Sequence, residues 1–195
     1  MTPTGPKLLE NGLPDIVRII TTTSPTGQAI ISDTIPSSST WQLIGNVAKF
    51  FLAYTTRTFP VNLSPASSSS TSPSTPADIT SYAKDLSSPP GLTVSNGTVL
   101  RYVDMAPNSL SPMHKTVSVD YGVVLEGTIE LVLDSGETRI MHRGDVCVQR
   151  ATNHAWRNVT EGNGWGRMLF VLIPAEGGAE LKEDLGGMVD VKGSD

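Results

Sequence analysis

Cysteine is almost missing from this chain: Cys147 stands alone among 195 residues. No internal disulfide can form, so the fold must be held by its core, and a reducing compartment suits it. Charge is sparse as well, at 17% of residues, with 19 acidic against 14 basic groups and a net charge of −5. No stretch concentrates lysine or arginine, which removes the electrostatic footprint of a nucleic-acid binder. Long hydrophobic runs are lacking. The most apolar stretch, residues 47–54, is too short to span a bilayer and carries Lys49. The opening MTPTGPKLLENGLPDIV has no unbroken apolar segment of the kind a secretory signal needs. Glycosylation sequons at Asn62, Asn96 and Asn158 then read most simply as coincidence in a chain rich in serine and threonine. A Rossmann glycine fingerprint is also missing, so no nicotinamide is expected. These absences point to a soluble, cytoplasmic protein with no nucleic-acid or membrane partner.

What is present is strand and turn. Ile16–Thr23 and Gln28–Ser32 read as strands around the turn Ser24-Pro25-Thr26-Gly27, and Lys49–Thr58 as a third, aromatic and β-branched. Composition then shifts to SPASSSSTSPS over residues 64–74, with too few apolar groups to offset the entropy of ordering; residues 63–76 read as a flexible surface loop. Asp78–Leu86 reads as a short helix capped by Asp78. From Gly97 onward, strands are expected at Thr98–Met105, Asp120–Glu126, Thr128–Leu133, Glu137–Met141, Asp145–Gln149, His154–Asn158 and Arg167–Ile173. Ile129, Leu131 and Leu133 alternate with Glu130, Val132 and Asp134, the period of a half-buried strand. The expected divisions are 1–62, an N-terminal strand extension; 63–90, the Ser/Pro-rich loop; 91–175, a barrel; and 176–195, an acidic tail with a turn of helix at Ala179–Leu185. Short antiparallel strands with turns every eight to ten residues make the chain all-β, a sandwich or barrel.

Within that frame the stretch from Met113 to Asn158 carries a pattern. His114, Thr116, Asp120 and Gly127 fall in order, followed by Gly144, His154 and Asn158. This resembles the two motifs of the cupin superfamily, of the cupin-2 type: a first motif of two histidines, a glutamate and a glycine, and a second of glycine, histidine and asparagine. Thr116 stands at the second histidine position and Asp120 at the glutamate position, and the second motif is one residue shorter than its common form. The phrases GTVLRYVDMAP, GDVCVQRATNHAWRN and WGRMLFVLIPA further resemble single-domain fungal cupins of secondary-metabolite clusters, described as cupin-domain oxidoreductases. In that group the Ala151 position is often glycine. The resemblance implies a single jelly-roll-like antiparallel β-barrel with an N-terminal strand extension. It also implies a homodimer formed by sheet extension, with the N-terminal third crossing onto the partner and Ile16–Thr23 and Lys49–Thr58 offering the edges.

The candidate catalytic residues are His114, Asp120 and His154. Two histidines and a carboxylate can hold a non-haem iron with open positions, so the same three are the candidate ligands of a divalent metal: iron, manganese or zinc. Without metal, a histidine near neutral pKa moves protons and an aspartate orients it or holds its imidazolium. Thr116 and Tyr121 are candidate hydroxyl donors to a carbonyl or phenol oxygen, and Trp156 a wall for a flat apolar ligand. His142 lies in a turn, Lys115 and Arg150 read as solvated, and Asn158 as a strand-end fastener. Three functions stay open. One is a tailoring enzyme on a polyketide-derived small molecule, by oxidation or by dehydration and aromatisation. The second is a metal-free lyase or cyclase, such as a decarboxylase or dehydratase, on such a substrate. The third is a small-molecule-binding cupin without turnover.

Overall fold

Alternation over residues 98–105, with Val99, Arg101, Val103 and Met105 on one parity, produces the strand around which the others are laid. The computed structural model describes residues 10–64, 75–177 and 181–195. In chain order its elements are β1 (Thr21–Thr23), β2 (Ala29–Ile31), β3 (Trp41–Ile44), β4 (Ala48–Thr56), α1 (Ala77–Ser87), β5 (Thr98–Met105), β6 (Ser118–Glu126), β7 (Ile129–Leu133), β8 (Thr138–Met141), β9 (Val146–Arg150), β10 (His154–Asn158), a 3-10 turn at Glu161–Asn163, and β11 (Gly166–Pro174). A six-stranded sheet runs β3-β4-β5-β11-β6-β9; a three-stranded sheet runs β10-β7-β8; β1 and β2 form a separate hairpin. The described pairings are antiparallel. The chain is therefore all-β, as expected, with one short helix. Among the described residues no helix is long and apolar enough to cross a membrane.

The main core holds Val99, Val124, Ile129, Met168, Phe170 and Leu172. The motif residues outside the candidate site are architectural. Gly127 lies at φ 78°, and a Cβ there would stand 2.3 Å from Thr160 Oγ1, so only glycine fits. Asn158 is buried; its Nδ2 donates to the carbonyls of Met105, Ala106 and Gly164, each at 3.0 Å. These bonds tie the end of β10 to the loops around it.

The N-terminal third is fastened to the outer face of the large sheet. Asp104, fully buried, takes a fork from Arg167 at 2.5 and 2.8 Å and a bond from Asn11 at 2.5 Å. Trp41 lies over Lys49 and Arg167. α1 packs on β4 through the Tyr82 hydroxyl, which donates to Leu52 O at 2.8 Å, and through Asp85, bound by Thr55 and Arg57.

Several expectations change. β3 was not anticipated; its four residues end in the adjacent apolar pair Leu43-Ile44, which breaks a period-2 pattern. The expected strand at Lys49–Thr58 forms, as β4, but it is paired on both sides within this chain, so it is no free edge. The helix is flanked by Pro76 rather than capped by Asp78, whose carboxylate instead accepts from Tyr54. Residues 65–74, the heart of the expected loop, and 178–180, the start of the expected tail helix, lie outside the described residues. Leu181–Leu185 is not helical; Lys115 and Asp184 exchange backbone hydrogen bonds instead.

Candidate active site

The site begins with a backbone pairing. His114 N–H donates to His154 O at 2.8 Å and His154 N–H to His114 O at 2.9 Å. A reciprocal pair of this kind puts both side chains on the same face. The ring centroids are 4.3 Å apart with planes at 45°. Each imidazole is oriented through Nδ1. That of His114 lies 2.9 Å from Pro112 O, an acceptor that selects the Nδ1–H tautomer and leaves Nε2 unprotonated. That of His154 lies 2.9 Å from Thr152 O and 2.8 Å from Gln149 Nε2. An acceptor and a donor at one nitrogen accommodate either tautomer of His154. Among the described residues nothing bonds either Nε2. Burial lowers the pKa of both: His154, with His114 as a second cause, falls to about 4, and His114 falls in the same direction against the pull of Pro112 O. Both rings are neutral at pH 7.

Asp120 comes from β6. The pleat of that strand turns Ser118, Asp120 and Val124 inward and Tyr121 outward. Thr116 Oγ1 donates to Asp120 Oδ2 at 3.4 Å and accepts from Ser118 Oγ at 2.7 Å. Asp120 Oδ1 is buried and has no hydrogen-bond partner among the described residues. Burial raises the carboxyl to about 6, with the Ser118 and Thr116 hydroxyls opposing.

His114, Thr116, Asp120, His154 and Trp156 line one cavity of about 290 Å³ between the two sheets. Trp156 meets the His154 ring edge-on at 5.4 Å and Phe170 at 5.7 Å, making an aromatic wall. Tyr121 does not join them: it is 44% exposed on the opposite face of β6, because a residue next to an inward Asp120 must point out. His142 and Arg150 are exposed, as expected.

Two contributors were missed. Arg101 lines the cavity and is 7% exposed; its signal was a charge at the parity of Val99 and Val103. Residues 187–191 of the supposed tail also line it. Val191 packs on the core and Asp190 Oδ2 accepts from Gly45 N–H at 3.0 Å. Nothing in the glycine-rich composition of that segment signals such a role.

For a metal ion, the donors at hand are two imidazole Nε2 atoms and Asp120. The remaining position of the common cupin set is Thr116, whose hydroxyl is committed between Ser118 and Asp120. Although the expected ligands His114, Asp120 and His154 share a cavity, no group of three or more His, Cys, Asp or Glu side chains among the described residues is arranged to hold a metal. As arranged here, the donor set does not fit one.

Comparison with known proteins agrees with this architecture. The family described as Cupin domain matches residues 101–171. Phomopsin biosynthesis cluster protein C' of Diaporthe leptostromiformis is 48% identical over 159 residues, spanning 82% of this chain and 78% of its own. Oryzines biosynthesis cluster protein J of Aspergillus oryzae is 39% identical over 183 residues, spanning 92% and 96%. The cupin-domain-containing oxidoreductase srdD of Neurospora crassa is 36% identical over 184 residues, spanning 93% and 82%. The chain belongs to the cupin superfamily, among the cupin-domain proteins of fungal biosynthesis clusters.

Proposed function

We propose that the protein is a tailoring enzyme of fungal secondary metabolism that moves protons on an apolar, carbonyl-bearing small molecule, in a dehydration, cyclisation or related lyase-type step. The observation that carries this is the buried Oδ1 of Asp120, without a partner among the described residues, in the cavity wall that also holds two neutral imidazoles whose Nε2 atoms no described residue bonds. His114, held as the Nδ1–H tautomer, is the base that takes a proton from carbon or oxygen. The imidazolium formed at His114 then returns that proton to the leaving oxygen, and His154, able to hold either tautomer, hydrogen-bonds the reacting group through Nε2. Asp120, protonated at the acid end of neutrality, donates a hydrogen bond to an oxygen on which charge develops. Trp156 and Phe170 confine the flat part of the molecule. The relatives support the setting, since they come from biosynthesis clusters.

The name oxidoreductase carried by the Neurospora crassa relative favours a second reading, in which the site loads metal and oxidises. The deciding experiment uses the intermediate that accumulates in a deletion strain, given to purified protein after chelation. Full turnover without metal is expected, with His114→Ala and Asp120→Asn each losing roughly 10²–10⁴-fold in rate. Activity that vanishes on chelation and returns with iron would establish the oxidative reading. Binding without turnover by any form of the protein would leave a carrier.

A further inference from the structure

We propose that Arg101 is the anion anchor of the cavity, holding a carboxylate carried by an otherwise apolar, flat small molecule. The inference names the substrate class of the site described above and so rests on that cavity being a substrate site.

This protein treats its two buried arginines differently. Arg167 is 3% exposed, with a fork to Asp104 and a bond to Pro14 O at 2.6 Å that engage all three of its nitrogens. Among the described residues Arg101, similarly buried, makes one hydrogen bond, from Nη2 to Gly91 O at 3.1 Å. No carboxylate among the described residues comes within 4.0 Å of its guanidinium. Asp104, three residues on, faces the other side of the sheet and is taken by Arg167 and Lys49. Asp190, in the cavity wall, accepts from Gly45 N–H. Asp120, also in the wall, accepts from Thr116. Lys192 lines the adjoining pocket of about 420 Å³, which Arg101 also borders, and pairs with Asp195.

An arginine cannot escape this situation by losing its charge. Burial lowers its pKa to about 10, which leaves it cationic at neutral pH. A buried cation with a single neutral partner is costly, and folds retain such a group where something else supplies the counter-charge. Among the described residues Arg101 is the only lysine or arginine lining the main cavity. Its guanidinium lies 5.2 Å from the Phe50 ring centroid, which holds the planar group in place. A carboxylate suits that planar fork by accepting two parallel N–H bonds.

The placement fits a molecule with two functional ends. Arg101 pairs with Phe170 on β11, and Asp120 pairs with Leu172 on the same strand from its other side. The two side chains therefore stand two strands apart, roughly 10 Å across the sheet. An acid held at Arg101 presents its far end to the His114–His154–Asp120 cluster, with aromatic rings of Phe50, Phe170 and Trp156 along the way.

The test is isothermal titration of the full chain with 2-naphthoate and with its neutral counterpart 2-naphthamide. The acid should bind wild type at least about 10-fold more tightly than the amide, the scale of one charge-assisted bond. Arg101→Met should abolish that preference by lowering the affinity for the acid to no more than that for the amide, with Arg101→Gln as a second neutral variant. If neither variant folds, the wild-type ratio decides. Equal affinity for the two probes in wild type, absence of binding by either, or a preference that survives in a folded neutral variant overturns the proposal. Because only binding is read, the anchor can fail while the acid–base reading stands, and turnover can fail while the anchor stands.

Discussion

At the scale of single residues, Asp120 is where function and stability pull apart. Its carboxyl titrates near 6 in the folded chain against 3.8 when exposed. A raised acid favours the folded state fully below the unfolded value, and that advantage is lost as pH rises through the folded one. Above about pH 6 the ionised group costs roughly 2–3 kcal/mol. The Asp120→Asn variant should therefore be more stable than wild type at pH 7–8 by about that amount, with the difference closing toward pH 4. Paired urea titrations at the two pH values check it. Equal stability at pH 8 would mean the carboxylate is solvated after all. His114 and His154 act in the opposite sense: their pKa values are depressed, so stability present above 6.5 is lost as pH falls toward 4. The inward position of Asp120 was legible from its place in the motif and the alternation after it. By the same alternation Tyr121 had to face out, which the motif spacing alone did not consider.

At the scale of elements, the turn between β9 and β10 sets His154. Gln149 of β9 and Thr152 within the turn both contact His154 Nδ1. Ala151 in that turn has φ 49°, a left-handed conformation that costs a residue with a Cβ about 1–2 kcal/mol. Glycine removes that cost and returns roughly 0.5–1 kcal/mol of it as unfolded-state entropy. The variant Ala151→Gly should gain about 0.5–1 kcal/mol, read as a higher urea midpoint at unchanged slope. A lower midpoint would show that the turn is relaxed with alanine. That an alanine occupies a glycine position was legible in the sequence; that the backbone keeps the glycine conformation anyway was not, since φ is set by the hydrogen bonds the turn must close.

At the scale of the whole molecule, the remaining question is what covers its apolar outer surface. Val17, Ile19 and Ile31 around the β1–β2 hairpin are each more than half exposed, as are Val146 and Val148 on the edge strand β9. Three-residue strands with such side chains in water are poorly stabilised alone, and edges invite pairing. We propose that a second copy covers them, giving a homodimer in which the β1–β2 hairpin, rather than β4, makes the contact. Light scattering at micromolar concentration should give twice the mass of the chain, and Ile31→Glu should halve it. A monomeric wild type would show that the hairpin is simply solvated.

The sequence by itself determined what depends on near neighbours. Strand period is set by the pleat, so β5, β10 and the inward face of β6 follow from residues two apart. The turn glycine Gly127 and the fastener Asn158 follow from backbone geometry that few other residues satisfy. Only the tertiary structure decided which distant groups meet. His114 faces His154 because two separate segments exchange backbone hydrogen bonds. Among the described residues Arg101 has no carboxylate partner, because the nearest acid on its strand, Asp104, lies across the sheet and is held by Arg167. Residues 187–191 close the cavity because Val191 finds apolar partners on the barrel. Each of these is a packing outcome between segments far apart in the chain, where burial and the competition for counter-charges, not local propensity, set the result.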